Sequence, residues 1–179
     1  FSGLYSAKPT VDAYWEYCDK RGGDMNPNRM AFTQIVCCAE TDAEAEAKYY
    51  DAVRYFYRTN TVDPNFAMPP GYSTAKSMRS QNTLMKVGES KLTPEDKARA
   101  ASGEMSFWEY DEKGFIIAGS PERVSQRLRE LAKDLRIGQL IACCHVGDLA
   151  EEVAAENTRL MGERVIPTLR DLWSEYPDH

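Results

Sequence analysis

Apolar residues recur along this chain with two different periods. Val124, Leu128, Leu131 and Leu135 return every three or four positions with charges between them, the pattern of a helix that buries one side. Residues 115–118 (Phe-Ile-Ile-Ala) and 139–144 (Gln-Leu-Ile-Ala-Cys-Cys) are short, largely apolar runs that read as strands. Gly119-Ser120-Pro121-Glu122 joins the first run to the helix. Ser120 is placed to N-cap it, and Pro121 falls at the first helical position, where its missing N–H has no partner to lose. His145-Val146-Gly147-Asp148 ends the second run, with Asp148 placed to cap a last helix. That helix carries Val153, Leu160, Met161, Val165, Leu169 and Leu172 on one side. Strands joined through helices form βαβ units with parallel strands.

The N-terminal part repeats this rhythm. Residues 1–5 read as a strand, and Lys8-Pro9-Thr10 opens a helix with Val11, Tyr14, Trp15 and Cys18 on its apolar side, stopped by Gly22-Gly23. Residues 30–38 are apolar almost throughout and form the second predicted strand. Thr41-Asp42-Ala43-Glu44 has the form of a capping box. The helix it opens carries Tyr49, Val53 and Phe56 on one face, with Tyr50, Tyr55 and Tyr57 around them; Tyr55 or Tyr57 is expected to be the more exposed. Four strand–helix units result, over 1–22, 30–60, 115–136 and 139–173. Between the second and third lies 61–110. Its first part, 61–90, holds prolines, glycines and a polar middle, a loop of a length that compact domains reserve for function or leave disordered. Thr93-Pro94-Glu95-Asp96 caps a short helix, and the aromatic run 105–110 is a further helical turn or an edge segment.

Composition narrows the classes. The chain has 179 residues, enough for one domain with a real core, and its 42% hydrophobic and 28% charged content is that of a globular protein. No apolar run approaches the ~20 residues of a membrane span. A net charge of −6 without a basic cluster argues against nucleic acid or an anionic membrane as partner. The five cysteines include the adjacent pairs Cys37-Cys38 and Cys143-Cys144 inside apolar runs, which reads as buried free thiols in a reducing, cytoplasmic compartment. Neighbouring strand residues point to opposite faces, so neither pair is expected to hold a metal ion.

Residues 117–124 (Ile-Ala-Gly-Ser-Pro-Glu-Arg-Val), then a strand, then a long helix with Val165-Ile166-Pro167 near its end, resemble the C-terminal part of the luciferase-like flavin-dependent monooxygenases. Residues 38–45 (Cys-Ala-Glu-Thr-Asp-Ala-Glu-Ala), with Gly22-Gly23-Asp24-Met25-Asn26-Pro27 before them, are similar to a strand-to-helix step in the second half of that family. The resemblance implies an α/β fold, a (β/α)8 TIM barrel of which the four units form the C-terminal half, with 61–110 as an insertion or lid. It implies reduced FMN, supplied by a separate flavin reductase, reacting with O2 to oxygenate a small-molecule substrate, in an enzyme that is a homo-oligomer at full length. A deazaflavin (F420)-dependent oxidoreductase of the same fold and a non-catalytic flavin-binding or structural half-barrel stand as alternatives. The family's catalytic histidine and most of its flavin contacts fall upstream of these residues, so no catalytic residue is assigned. A chain opening at Phe1 inside a predicted strand is expected to be a fragment. Its inner face, built from Ile35, Ile117 and Ile141, would then be exposed and drive self-association.

Within that frame Ser2 and Tyr5 are the candidates for lining the flavin or substrate pocket. His145, directly after an apolar strand, is the candidate for the substrate pocket; a proton shuttle is weighed against a loop histidine donating to a backbone carbonyl. The helix start at Ser120 is an anion site or a plain cap.

Overall fold

A strand with no polar face must be covered on both sides and paired on both edges. In the computed structural model, which describes residues 3–60 and 91–176, Ala31–Cys38 is such a strand, β1, at the centre of a three-stranded parallel sheet. β2 (Ile116–Gly119) runs beside its C-terminal half, with Ile35 opposite Ile116 and Cys38 opposite Gly119. β3 (Gln139–Cys143) runs beside its N-terminal half, with Ala31 opposite Gln139 and Ile35 opposite Cys143.

Alternation of side chains across this sheet creates two cores. Ile35, Cys37, Ile116 and Ala118 pack with α2 (Asp42–Thr59), α3 (Pro94–Ser102) and α4 (Phe107–Glu112). Val36, Cys38 and Ile117 pack with α1 (Leu4–Lys20) and α5 (Pro121–Leu135). Several helix starts are chemically marked. Thr41 accepts from the Glu44 N–H, Ser120 accepts from the Arg123 N–H, and Thr93 and Ser106 form complete capping boxes with Asp96 and Glu109. The aromatic run at 105–110 thus leads into a helix. Tyr57, one of two residues expected at the surface, is buried with its O–H on the Phe115 carbonyl at 3.0 Å, whereas Tyr55 is exposed. Of the expected insertion, 61–90 lies outside the described residues; α3 and α4 pack on α2, and α4 also packs on β2. Among the described residues no helix is long and apolar enough to cross a membrane.

The fold class is α/β with parallel strands, but the strand order differs from the one expected for a half-barrel. The order is β2-β1-β3. The chain steps from β1 to β2 in one direction, then from β2 back across β1 to β3. Reversing direction without changing the hand of the crossover sends the connecting helices to opposite faces, and α2 and α5 do lie on opposite faces. A barrel always steps one way and keeps its helices outside. The β1–β2 register sets Ile117 beside Val36, so Ile35 and Ile117 belong to different cores instead of one inner face. Ile141, on the edge strand β3, is 57% exposed. The described residues do not close into a barrel.

Both ends of the chain also depart from expectation. Of the predicted first strand, residues 1–2 lie outside the described residues, and Leu4 and Tyr5 open α1 instead. Leu4, Val11 and Trp15 share one buried side at helical spacing, and the Leu4 N–H donates to the Gly114 carbonyl at 2.9 Å. The helical period therefore runs back past Pro9, which lies inside the helix. At the other end Asp148 is not a cap. α6 (Glu151–Leu160) has Ala150 at its N-cap position, with no side-chain bond. The long helix expected after it loosens into a wide π turn at Met161–Val165 and tightens into a 3-10 turn at Ile166–Leu169. Pro167 has no N–H to give, and its ring excludes the carbonyl four residues earlier. The chain end is held by Trp173, whose indole N–H donates to the Ile137 carbonyl at 2.7 Å.

One side chain completes the sheet. β3 stops opposite Ile35, which leaves the Val36 carbonyl and the Cys38 N–H without a strand partner. A residue opposite Cys37 on a parallel neighbour would accept from one and donate to the other. The Asn157 amide of α6 does this: Nδ2 donates to Val36 O at 2.6 Å, and Oδ1 accepts from the Cys38 N–H at 3.1 Å. Its second N–H reaches Cys144 O at 3.0 Å. Asn157 is fully buried.

Asn157→Ala is expected to destabilise the protein by about 3–5 kcal/mol, because it orphans three backbone groups of which two are deeply buried; the midpoint of urea unfolding reads this directly. Acid should loosen α3 as well. The Thr93 backbone N–H and then Lys113 hold the Asp96 carboxyl down to about 2. A depressed carboxyl contributes stability above its unfolded value, and that contribution fades as pH falls from about 4. Asp96→Asn should flatten the pH dependence of the melting temperature between about pH 4 and 2.

Candidate functional site

Parallel strands bring their C-terminal ends to one edge, where α/β proteins place their chemistry. Here the edge is made by Ala39-Glu40 after β1, Gly119-Ser120 after β2 and residues 144–148 after β3. The first two steps are locked together. The Ala39 N–H donates to Gly119 O at 3.1 Å, and Asp42 Oδ1 accepts the Ser120 N–H at 2.7 Å. Gly119 has φ 130°, and a Cβ there would lie 2.6 Å from both Asp42 Oδ1 and Arg123 Cδ, so the close approach requires glycine.

The charges of this edge neutralise one another. Arg123 donates to Asp111 Oδ2 at 2.7 Å and lies over the Trp108 ring at 4.7 Å; the Trp108 indole N–H donates to Glu46 at 2.9 Å. Asp111 is buried and also accepts the Ala118 N–H at 3.1 Å. Arg164 bridges Glu40 at 2.6 Å and Glu122 at 2.8 Å, and Arg159 holds Glu163 at 2.8 Å. Its own backbone N–H, then Arg164, keep the Glu122 carboxyl below the usual carboxylate range. A flavin phosphate needs uncommitted cations or N–H donors. Arg123, Arg159 and Arg164 are each engaged by carboxylates, the Ser120 N–H is taken by Asp42, and the Ser120 hydroxyl caps its own helix. The described residues of this edge do not fit such a group.

The residues singled out from the sequence are not gathered here. Ser2 lies outside the described residues. Tyr5 is on α1, not on a strand, with its ring against Gly114 at the opposite end of β2. His145 is at the edge and exposed, with Nε2 3.1 Å from Leu149 O. A carbonyl only accepts, so Nε2 carries the proton, and the geometry is that of a histidine tying its own loop. The thiols follow the expected alternation. Cys37 lies in the α2 core and Cys38 in the α5 core, and all five cysteines are free. Burial raises the Cys37 thiol and pushes that of Cys38 to about 12. Two residues that organise this edge were not singled out. Asn157 had a visible signal, a polar residue at an apolar helical position between Val153 and Leu160-Met161. Asp111 had only its place beside a run of aromatics.

His145→Ala should lower stability by about 1 kcal/mol or less, the value of one solvent-facing hydrogen bond, as read by thermal melting. A thiol reagent such as DTNB should label Cys18, Cys143 and Cys144 in the native protein and reach Cys37 and Cys38 only after unfolding. Comparison with known protein families, with curated proteins and with solved structures finds no match to this chain.

Proposed function

We propose that the chain serves in a flavin-dependent monooxygenase of the luciferase-like kind, in which reduced FMN from a separate reductase and O2 oxygenate a small organic substrate. One observation supports this reading. The two stretches that carry the resemblance, residues 38–45 and 117–124, meet in space: Cys38 is paired with Gly119, and Asp42 holds the Ser120 N–H. Consecutive strands of a (β/α)8 barrel pair in this way, with their following helices starting at the same end. The barrel belongs to the proposal; in it β3 would lie on the free edge of β2 and not against β1. Because the described edge does not fit the flavin phosphate, no step of the reaction is assigned to its residues.

A non-catalytic structural unit is the second reading, and it too has an observation in its favour. Every arginine named at this edge is committed to a carboxylate, and His145 is committed to its own loop, which is what an edge built for stability requires.

Fluorescence titration of the protein isolated from its source cells, with FMN and with F420, separates these readings. Micromolar FMN affinity with substrate-dependent O2 uptake is expected. Binding of F420 alone would replace oxygenation by hydride transfer, and binding of neither would leave the structural unit. The strand order is tested by NMR: contacts between Thr33 and Ile141, paired across β1 and β3, disappear if β3 sits beside β2.

A further inference from the structure

A pocket of about 300 Å³ opens at the N-terminal end of β2, on the α5 side of the sheet, and the monooxygenase reading makes no use of it. Leu4, Ile117 and Leu131 give it an apolar floor, each of them buried. Tyr5 forms a wall, packed so closely on Gly114 that a Cβ there would meet the ring at 3.2 Å. All but one of the charged side chains around the mouth are paired among the described residues. Asp134 lies 3.3 Å from Lys8 Nζ. Glu130 accepts from Gln126 at 3.0 Å and faces Arg127 at 3.9 Å. Arg127 donates to the Asp111 carbonyl at 3.0 Å and lies 3.9 Å from the Asp111 carboxylate. Lys91 is different: among the described residues it has no carboxylate partner, and its ammonium group lies 5.0 Å from the centre of the Tyr5 ring.

The backbone beside Lys91 is held in place. Leu92, next to it, is buried in the α2 core, and the Thr93–Asp96 capping box follows at once. An ammonium group on a fixed backbone, resting on an aromatic face beside an apolar floor, is complementary to an anion with a small apolar body. The volume stands at the lower end of the range for small-molecule sites.

We propose that this pocket binds a small organic anion, a carboxylate on a single ring or short chain, with the carboxylate at Lys91 and the apolar body on Leu4, Ile117 and Leu131. The site lies at the other end of β2 from the strand ends considered above, so it stands or falls independently of the flavin.

The test is a 1H–15N NMR titration with benzoate and with its neutral isostere benzamide. Benzoate should give saturable shifts at the amides of Leu4, Tyr5, Gly114 and Leu131, and benzamide should bind roughly tenfold more weakly, the factor expected for losing one charge-assisted hydrogen bond. Lys91→Met, a change at an exposed position, should weaken benzoate by the same factor and leave benzamide as it was. Equal affinity for the two ligands, shifts that spread over the surface without saturating, or no shift at these amides would each overturn the proposal.

Discussion

The C-terminal half of β1 sets the terms for the rest of the molecule. Residues 35–38 are buried on both faces, so water cannot serve their backbone groups, and each must be bonded within the protein. β2 serves one edge as far as Gly119. On the other edge β3 ends two positions too early, and the chain turns away at the point where His145 would have paired. The Asn157 amide takes that seat, and the Tyr49 hydroxyl donates to the last carbonyl, Cys38 O, at 2.8 Å. α6 and α2 are thereby fixed to the sheet by direction-dependent bonds, where packing alone would let them slide.

The same demand, that a buried polar group be satisfied, explains where the charges went. Asp111 would be costly beneath α4 without its partners. It receives the Ala118 N–H and the Arg123 guanidinium, and in doing so ties α4, β2 and α5 together. At the strand ends the arginines and carboxylates satisfy one another, and an incoming anion would have to displace a carboxylate already in place. At the far end of β2 Lys91 rests on the Tyr5 ring and, among the described residues, on no carboxylate.

Much of the architecture could be read from the chain because its causes are local. Short apolar runs specify strands, and three of four were placed to within a residue or so. Ser120, Thr41 and Thr93 start helices because a hydroxyl beside free N–H groups acts within one turn. The alternation of Cys37 and Cys38 between two cores follows from the pleat alone. The reading failed where a local signal competed with a longer one. Pro9 marked a helix start, but the period from Leu4 through Val11 to Trp15 was the stronger evidence. Asp148 had the chemistry of a cap, but the helix begins three residues later.

The sequence by itself determined the α/β class, the parallel strands, the helix caps at Thr41, Thr93 and Ser120, and the burial of Cys37 and Cys38, since each depends on residues that are neighbours in the chain. Only the tertiary structure decided the order β2-β1-β3, the pairing of Asp42 with Ser120, the seat of Asn157, and the separation of Tyr5 from His145. These depend on which edge of β1 each later strand takes. Either edge satisfies the same apolar pattern, so the choice rests on contacts between residues far apart in the chain, which hydrophobic periodicity does not encode.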